Sequence, residues 1–206
     1  MPIQIQSVCC GTIQENAWIA GLEGRDDCVV VDPGDECPKL QRAIGDKKVS
    51  AILLTHGHFD HIMAVGELAA ATGAPVYIHP LDMEMLNDPA LNGRLSLMGV
   101  NAMPGPAIRA EALDEELSVA GMDFEIIHTP GHSKGSVCLY LPDEGALFAG
   151  DTLFMGGLGR MDLHGGSPLE MRESLRRLFT LPGEVRVYPG HGPSTTIGDE
   201  RSRYRL

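Results

Sequence analysis

The sequence predicts an α/β fold in which two β-sheets are flanked by helices. Short apolar runs, many of them rich in Val and Ile, recur along the chain between Gly and Pro residues, which is the pattern of buried strands. Segments with helical spacing are fewer and fall between groups of strands. The chain has 206 residues, 43% of them hydrophobic, which is enough for a sizeable core. A single domain over residues 1–206 is therefore expected.

Three strands and a short helix are predicted before residue 46. Apolar runs separated by glycine-containing turns predict the strands at residues 4–7, 16–20 and 28–31. Pro38 suits the first turn of a helix that continues over residues 39–44 and ends at Gly45.

The stretch from Thr55 to His61 is the most informative part of the chain. A predicted strand at residues 50–54 precedes it, and a predicted helix at residues 62–71 follows it. Between them lie four possible metal ligands: His56, His58, Asp60 and His61. Side chains on a loop are not separated by a regular period, so they can converge on an ion. The alternative is a solvated polar turn, which three imidazoles in so short a stretch disfavour.

The next part of the chain is predicted to be less regular. A strand is expected at residues 74–78 and a short helix at residues 80–86. Residues 87–106 contain several Pro and Gly residues and are interpreted as a long surface excursion. Met98 and Met103 in this excursion are candidates for lining a substrate groove. Packing of the excursion onto the body of the protein is an equal alternative.

The second half of the chain repeats the pattern of strands followed by a helix. Short apolar runs, some of them alternating with polar residues, predict strands at residues 117–119, 123–128, 137–141, 146–149 and 185–188. Helical spacing predicts a helix over residues 168–179.

Three further candidate ligands follow strands in this second half. His132, Asp151 and His191 each come shortly after a predicted strand and are flanked by Gly or Pro, which form sharp turns. With the earlier four they make five His and two Asp, more donors than one tetrahedral ion needs. They suit two ions roughly 3.5–4 Å apart that share a carboxylate. Imidazole and carboxylate without thiolate are suited to Zn, Fe, Mn or Ni.

The net charge and the cysteine content indicate which classes of partner and which cellular compartment to expect. Sixteen Lys and Arg against 28 Asp and Glu give a net charge of -12, which disfavours nucleic acid and anionic membranes as partners. No apolar run is long enough to cross a membrane, and the first residues lack the pattern of a signal peptide. Five cysteines without a C-x-x-C pair fit the reducing cytoplasm, which is the expected location.

Five stretches in combination resemble one known family. They are 55–61 (Thr-His-Gly-His-Phe-Asp-His), 129–132 (Thr-Pro-Gly-His), 150–154 (Gly-Asp-Thr-Leu-Phe), 159–162 (Gly-Arg-Met-Asp) and 189–196 (Pro-Gly-His-Gly-Pro-Ser-Thr-Thr). These stretches span most of the chain. They resemble the metallo-β-lactamase superfamily and, within it, the glyoxalase II (hydroxyacylglutathione hydrolase) branch.

The resemblance implies an αββα sandwich with a dimetal site at one edge of the two sheets. It also implies how the ligands divide between the metals. The first metal would be held by His56, His58 and His132, the second by Asp60, His61 and His191, and Asp151 would bridge them. The expected ions are two divalent metals, zinc first, with iron or manganese as alternatives.

Four other residues are expected near the site. Asp32 resembles a position that braces the metal loops in the family. Arg160 and Asp162 are expected to form an ion pair that shapes the loop beside the metals, and a direct substrate role is the less favoured alternative. Lys134 departs from the usual turn after the motif histidine, so it is either a contact for an anionic substrate or, more simply, a solvated lysine.

The expected function is a dinuclear metal-dependent hydrolase. Asp60 would be the catalytic residue that orients a metal-activated water, and the substrate would be a small acyl thioester such as S-lactoylglutathione. The glyoxalase II branch carries a C-terminal glutathione-binding domain, whereas this chain ends soon after His191, so weak glutathione specificity is expected. A lactone or ester hydrolase, a mononuclear-iron persulfide dioxygenase and a binding module without turnover are the alternatives. The oligomeric state is left open.

Overall fold

The computed structural model describes residues 1–204, which form two six-stranded sheets. The strands of the first sheet lie side by side in sequence order: β1 (Ile3–Cys10), β2 (Glu15–Leu22), β3 (Asp27–Val31), β4 (Lys48–Leu53), β5 (Val76–Ile78) and β6 (Glu111–Ala112). The second sheet takes the remaining strands, also in sequence order: β7 (Glu116–Val119), β8 (Met122–His128), β9 (Val137–Leu141), β10 (Ala146–Gly150), β11 (Arg186–Pro189) and β12 (Thr195–Thr196).

Helices are short and lie between the strands. They are α1 (Cys37–Ile44), α2 (Phe59–Ile62), α3 (Val65–Thr72), α4 (Arg94–Met98), α5 (Pro168–Leu178) and α6 (Ile197–Arg203), with a 3₁₀ helix at Pro80–Met85. Across residues 1–204, no helix has the length and apolar character that a membrane span needs.

The two sheets pack face to face because their strands alternate between two apolar faces. In β2, Trp18 and Ala20 point into the core between the sheets, whereas Ala17 and Ile19 point to the outer side. Strands β9 and β10 divide their side chains in the same way. Their inward residues meet those of the first sheet in one core that includes Phe148, which is fully buried. Both faces of the central strands are therefore buried.

Helices cover the outer face of each sheet. Leu40 of α1 and Leu68 of α3 pack against the outer side of the first sheet. Met171 and Leu175 of α5, together with Ile197 at the start of α6, pack against the outer side of the second. The layers run helix, sheet, sheet, helix, which is the αββα sandwich of the metallo-β-lactamase fold.

The direction of the strands brings several loops to one edge of the sandwich. Strands β3, β4 and β5 are parallel neighbours in the first sheet, and β10 and β11 are parallel neighbours in the second. Carboxyl ends of parallel strands lie at the same edge, so the loops after β3, β4, β10 and β11 are neighbours. The end of β8 joins them, because Val137 beside it donates its backbone N–H to the carbonyl of Thr55 at 2.8 Å.

The structure corrects the sequence-based prediction of one continuous helix over residues 62–71. The segment instead forms two helices, α2 and α3, with a break at Met63 and Ala64. The backbone N–H of Ala64 donates to the carbonyl of Pro33 at 3.1 Å, so the chain turns toward the loop after β3. Asp60 and His61 consequently lie in a short helix and not in the loop where the sequence placed them.

Candidate metal centre

The loop after β4 is held close to the 3₁₀ helix by Gly57. A Cβ at this position would lie 2.7 Å from the Cβ of Met85 and 3.0 Å from the carbonyl oxygen of Asp82, so only glycine fits. This close approach turns His56 and His58 toward the same space, with ring centroids 4.9 Å apart.

The first ligand group joins these two histidines to His132 from the loop after β8. The Nδ1 atom of His58 lies 2.7 Å from the Nε2 atom of His132, and the rings of His56 and His132 are 4.7 Å apart. All three side chains are buried, and each offers one nitrogen within 4.8 Å of the other two. The two sheets thus both contribute to this group.

The second ligand group consists of Asp60, His61 and His191. The Oδ2 atom of Asp60 lies 3.2 Å from Nε2 of His191 and 3.6 Å from Nε2 of His61. His191 follows β11, whereas the other two come from α2, so both sheets contribute again.

Asp151 lies between the two groups. Its Oδ1 atom is 3.3 Å from Nε2 of His61, and its Oδ2 atom is 3.5 Å from Nε2 of His132 and 3.7 Å from Nε2 of His191. One carboxylate therefore faces ligands of both groups, which is the arrangement that a bridging ligand requires.

Asp32, at the end of β3, orients a histidine from each group. Its Oδ1 atom accepts a hydrogen bond from the backbone N–H of Thr55 at 2.8 Å, and its Oδ2 atom accepts one from the Thr55 hydroxyl at 2.6 Å. The same Oδ2 atom is 3.1 Å from Nδ1 of His61, and the Thr55 hydroxyl is 3.0 Å from Nδ1 of His56. Holding the Nδ1 side of each ring leaves Nε2 free to face a metal. Because both of its oxygens accept these bonds, Asp32 acts as a brace.

Two buried carboxyl groups near the ligands were not anticipated from the sequence. Asp82 in the 3₁₀ helix accepts hydrogen bonds from the backbone N–H groups of Gly57 and Gly135 and from the hydroxyl of Ser133, which ties the loops of His58 and His132 together. Glu15, at the start of β2, has an oxygen 3.8 Å from Nδ1 of His61. Neither position belongs to a recognisable motif, so only the fold reveals them.

Burial and charge drive the pKa values of the two groups apart. Burial lowers the pKa of His58 to about 3 and lowers that of His56 well below its usual value, with neighbouring imidazoles adding to the effect. Burial also opposes the charged form of His61, but the carboxylates of Asp151 and Asp60 outweigh it and raise the pKa of His61 well above its usual value. His56 and His58 therefore offer neutral lone pairs, and the carboxylates around His61 attract positive charge.

Unpaired polar atoms indicate what belongs between these groups. Among residues 1–204, Nε2 of His56, Nε2 of His61 and Oδ1 of Asp151 are buried and accept or donate no hydrogen bond. Buried polar atoms without partners are costly, and these atoms converge in one place. Imidazole and carboxylate donors in two groups with a shared carboxylate fit two divalent cations.

A cavity of about 420 Å³ lies over both groups. Its polar surface includes His58, Asp60, His132, Asp151 and His191, and its apolar wall includes Ile13, Leu97, Met98, Phe154 and Leu163. Leu97 and Met98 come from α4, so the excursion of residues 87–106 borders the cavity, whereas Met103 packs against the core on the outer side of the first sheet. The apolar wall suits an organic substrate, and the candidate ligands on the polar side would face that substrate.

The remaining predicted residues lie at or beyond the rim. Arg160 lines the cavity, and its guanidinium donates to both carboxylate oxygens of Asp162 at 2.7 and 2.8 Å. The carbonyl of Arg160 accepts a hydrogen bond from Nδ1 of His132 at 2.7 Å, which orients that ring. Lys134 is exposed, and its side chain is not among the lining residues.

Curated relatives with similar sequences include metallo-hydrolases. A probable metallo-hydrolase, YqgX, from Bacillus subtilis is 40% identical over 196 residues, covering 94% of this chain and 92% of the relative. A hydroxyacylglutathione hydrolase from Ectopseudomonas mendocina is 41% identical over 167 residues, covering 80% of this chain but only 56% of that enzyme.

Solved structures reproduce the whole fold. A B3 metallo-beta-lactamase, BLEG-1, has a TM-score of 0.89 at 37% identity and covers 97% of both chains. TTHA1623 in a di-iron-bound form has a TM-score of 0.82 at 42% identity and covers 95% of this chain and 96% of the other. ETHE1 from Myxococcus xanthus has a TM-score of 0.73 at 27% identity, covering 96% of this chain and 81% of the other.

The family model for the metallo-beta-lactamase superfamily matches residues 10–191, the span that contains every candidate ligand described above. Together with the αββα architecture, this match shows that the chain belongs to the metallo-beta-lactamase superfamily.

Proposed function

We propose that this protein is a dinuclear metal-dependent hydrolase of the glyoxalase II type that cleaves acyl thioesters, with S-lactoylglutathione as the model substrate. The observation that carries the proposal is the position of Asp151 between two groups of three ligands at the floor of a half-apolar cavity. The similarity to a hydroxyacylglutathione hydrolase over most of this chain supports the choice of substrate class.

The candidate ligands would divide between two metal ions. His56, His58 and His132 would hold one ion, Asp60, His61 and His191 the other, and Asp151 would touch both. When bound, such ions supply a water of lowered pKa and polarise the substrate carbonyl. We propose zinc as the metal, and iron or manganese suits the same donors.

Asp60 is the proposed catalytic residue. It lines the cavity, and His61 and a hydrogen bond from His191 lower its pKa against the opposing effect of burial, so the carboxylate is ionised at neutral pH. It can hold the attacking water, accept its proton as the oxygen adds to the carbonyl carbon, and return that proton to the departing thiolate when the C–S bond breaks. Water and thioester thus give a carboxylic acid and a thiol.

The nucleophile we propose is water and not a side chain. Within the described part of the chain, the residues that line the cavity include neither Ser nor Cys. A covalent acyl-enzyme is therefore not part of the proposal.

Two alternatives remain, and a specific observation favours the first. A mononuclear-iron persulfide dioxygenase would use the same histidine-rich edge, and the separate ligand group of His56, His58 and His132, which could hold a single ion, favours keeping it. A lactone or ester hydrolase of the same superfamily would use the same metals on a different acyl group. The number of bound ions separates the first alternative from the proposal.

We further propose that the partner is a small molecule, with neither nucleic acid nor membrane involved, and that the protein acts in the cytoplasm. The net charge of -12 supports the first statement. The second is supported by the absence of disulfides among the five cysteines.

The test combines metal analysis with a thioesterase assay. Protein loaded with excess zinc and then desalted should contain close to two ions per chain and should hydrolyse S-lactoylglutathione, whereas protein stripped with a chelator should not. A smaller lactoyl thioester without the peptide serves as the comparison substrate. One redox-active iron per chain with no hydrolysis of either thioester would favour the dioxygenase alternative and reject the proposal.

A further inference from the structure

A second, smaller cavity of about 230 Å³ opens beside the candidate metal centre. It shares Ile13, Phe59, Asp60 and Met98 with the larger cavity, so the two spaces adjoin on the Asp60 side. The part that is not shared includes Arg94, from α4. A molecule that occupies the larger cavity can therefore extend a branch toward a cation.

The backbone at Arg94 is tied to the helix that carries Asp60. The N–H of Arg94 donates to Oδ1 of Asn92 at 3.1 Å, and the carbonyl of Asn92 accepts a hydrogen bond from the N–H of Phe59 at 3.1 Å. Asn92 is itself buried and donates to the carbonyl of Met85 at 3.0 Å. The distance from Arg94 to the reacting end of a substrate is thus set by a hydrogen-bonded framework.

The guanidinium of Arg94 lacks an acidic partner. Its Nη1 atom donates to the thioether sulfur of Met63, a weak acceptor, and its Nε atom is buried without a hydrogen bond. Within residues 1–204 no carboxylate forms an ion pair with it, although acidic residues outnumber basic ones by 28 to 16. A buried donor of a charged group that makes no hydrogen bond is costly, so we expect an acceptor from outside the chain.

Arg160 is the other cation at these cavities, and it is already paired. Its guanidinium donates to both oxygens of Asp162, whereas Arg94 has no such carboxylate. Asp35 also lines the side cavity, and its Oδ1 atom accepts a hydrogen bond from the N–H of Glu36. A ligand with an amide or amine N–H near its carboxylate would suit both side chains, because the N–H can donate to Asp35 while the carboxylate pairs with Arg94.

The geometry points to Arg94 as the residue that binds a carboxylate of the substrate in the side cavity, which makes carboxylate-bearing thioesters the substrate class. This inference rests on the proposed thioesterase function. The carboxylate can belong to the acyl half or to the thiol half of the thioester, since the two halves are joined at the C–S bond that breaks. An arginine pairs with a carboxylate through two parallel N–H···O bonds, so the pair selects by geometry as well as by charge.

The kinetic experiment uses two matched pairs of substrates. S-benzoyl 3-mercaptopropionate is compared with its neutral propanamide, which places the charge on the thiol half. S-glutaryl N-acetylcysteamine is compared with its neutral glutaramoyl analogue, which places the charge on the acyl half. For at least one pair the wild-type enzyme should prefer the carboxylate, and Arg94→Met should reduce that preference in kcat/KM by about tenfold or more.

Arg172→Met is the matched control, because Arg172 is exposed on α5 and lines neither cavity. It should leave both substrate preferences as in the wild type. If Arg160→Met removes the preference and Arg94→Met does not, the carboxylate site is misassigned and the inference is wrong.

A binding measurement keeps the inference testable apart from catalysis. Calorimetric titration of zinc-loaded protein with 3-(benzylthio)propionate should show tighter binding than with its amide, and Arg94→Met should remove the difference. Equal binding of the two thioethers by the wild type, with no charge preference in the assays, would overturn the inference while thioester hydrolysis still stands. If every thioester is inert, the proposed function fails, and the titration still decides whether Arg94 binds a carboxylate.

Discussion

At the scale of single residues, Asp151 differs from the other candidate ligands because its two oxygens face both groups. We expect Asp151→Ala to weaken both metal sites, whereas His191→Ala should weaken chiefly the site that Asp60 and His61 share. Removing a direct ligand costs at least the 10–100-fold in metal affinity that is typical of losing a supporting contact. Equilibrium dialysis against zinc would measure the number and affinity of the ions in each variant.

His164→Ala provides the control, since His164 lies near Glu84 at the surface and belongs to neither group. It should bind zinc as the wild type does. If Asp151→Ala and His191→Ala each lost one ion and kept the other with unchanged affinity, Asp151 would not be a bridging ligand.

The candidate ligands were visible in the sequence because a histidine-rich stretch after a strand is rare and specific. The residues that hold them were only partly visible. Asp32 was inferred from resemblance, but Asp82 was missed, because its three hydrogen bonds join segments far apart in the chain. Burial of a carboxyl group is decided by tertiary packing, which local pattern does not encode.

At the scale of elements, the loop between β11 and β12, which contains His191, packs very closely against other candidate ligands at Gly190. A Cβ on Gly190 would lie 2.3 Å from Oδ1 of Asp151 and 2.6 Å from Cε1 of His61. We expect Gly190→Ala to displace these ligands and to lower zinc affinity and thioesterase activity by about tenfold or more. Zinc titration and steady-state kinetics on the same preparations would measure both.

Gly157→Ala is the matched change in a neighbouring loop. A Cβ there meets only Phe154, at 3.7 and 3.8 Å, which is ordinary contact. This variant should retain wild-type zinc affinity. Unchanged zinc binding in Gly190→Ala would show that the loop relaxes without moving its ligands.

Elements with strong local signals were predicted well, and elements defined by their surroundings were not. Strands β9 and β10 are continuous apolar runs and helix α5 has helical spacing, and the predicted bounds agree with the structure to within a residue. Strands β6 and β12 have two residues each and exist only because a neighbouring strand pairs with them. The helix α6 was missed although Thr196 caps it by accepting from the N–H of Asp199, a signal that the sequence contained.

At the scale of the whole molecule, each ligand group draws on both sheets. Metal binding should therefore stabilise the folded state as a unit, because the unfolded chain does not hold the ligands together. Each zinc ion at 100 times its dissociation constant would add about 2.7 kcal/mol to the free energy of unfolding. For a chain of this size that is about 5–10 °C in Tm, which calorimetry on stripped and zinc-loaded protein would measure.

The Asp151→Ala variant again provides the comparison, since it lacks the carboxylate between the groups. Its Tm should rise by much less than that of the wild type at the same zinc concentration. An equal rise in both proteins would mean that zinc stabilises the fold from a different site.

The order of the strands has a consequence for how the molecule tolerates rearrangement. Strands β1 to β6 all belong to one sheet and strands β7 to β12 to the other, so the backbone passes between the sheets once, around Asp114. Asp114 is exposed, and cutting the chain there would divide it into two parts, each with a whole six-stranded sheet, without breaking a strand. Each layer would then keep its own share of the imidazoles and carboxylates, but neither share would make a complete set. The two halves would behave as complementary fragments whose association is the step that creates the reaction centre.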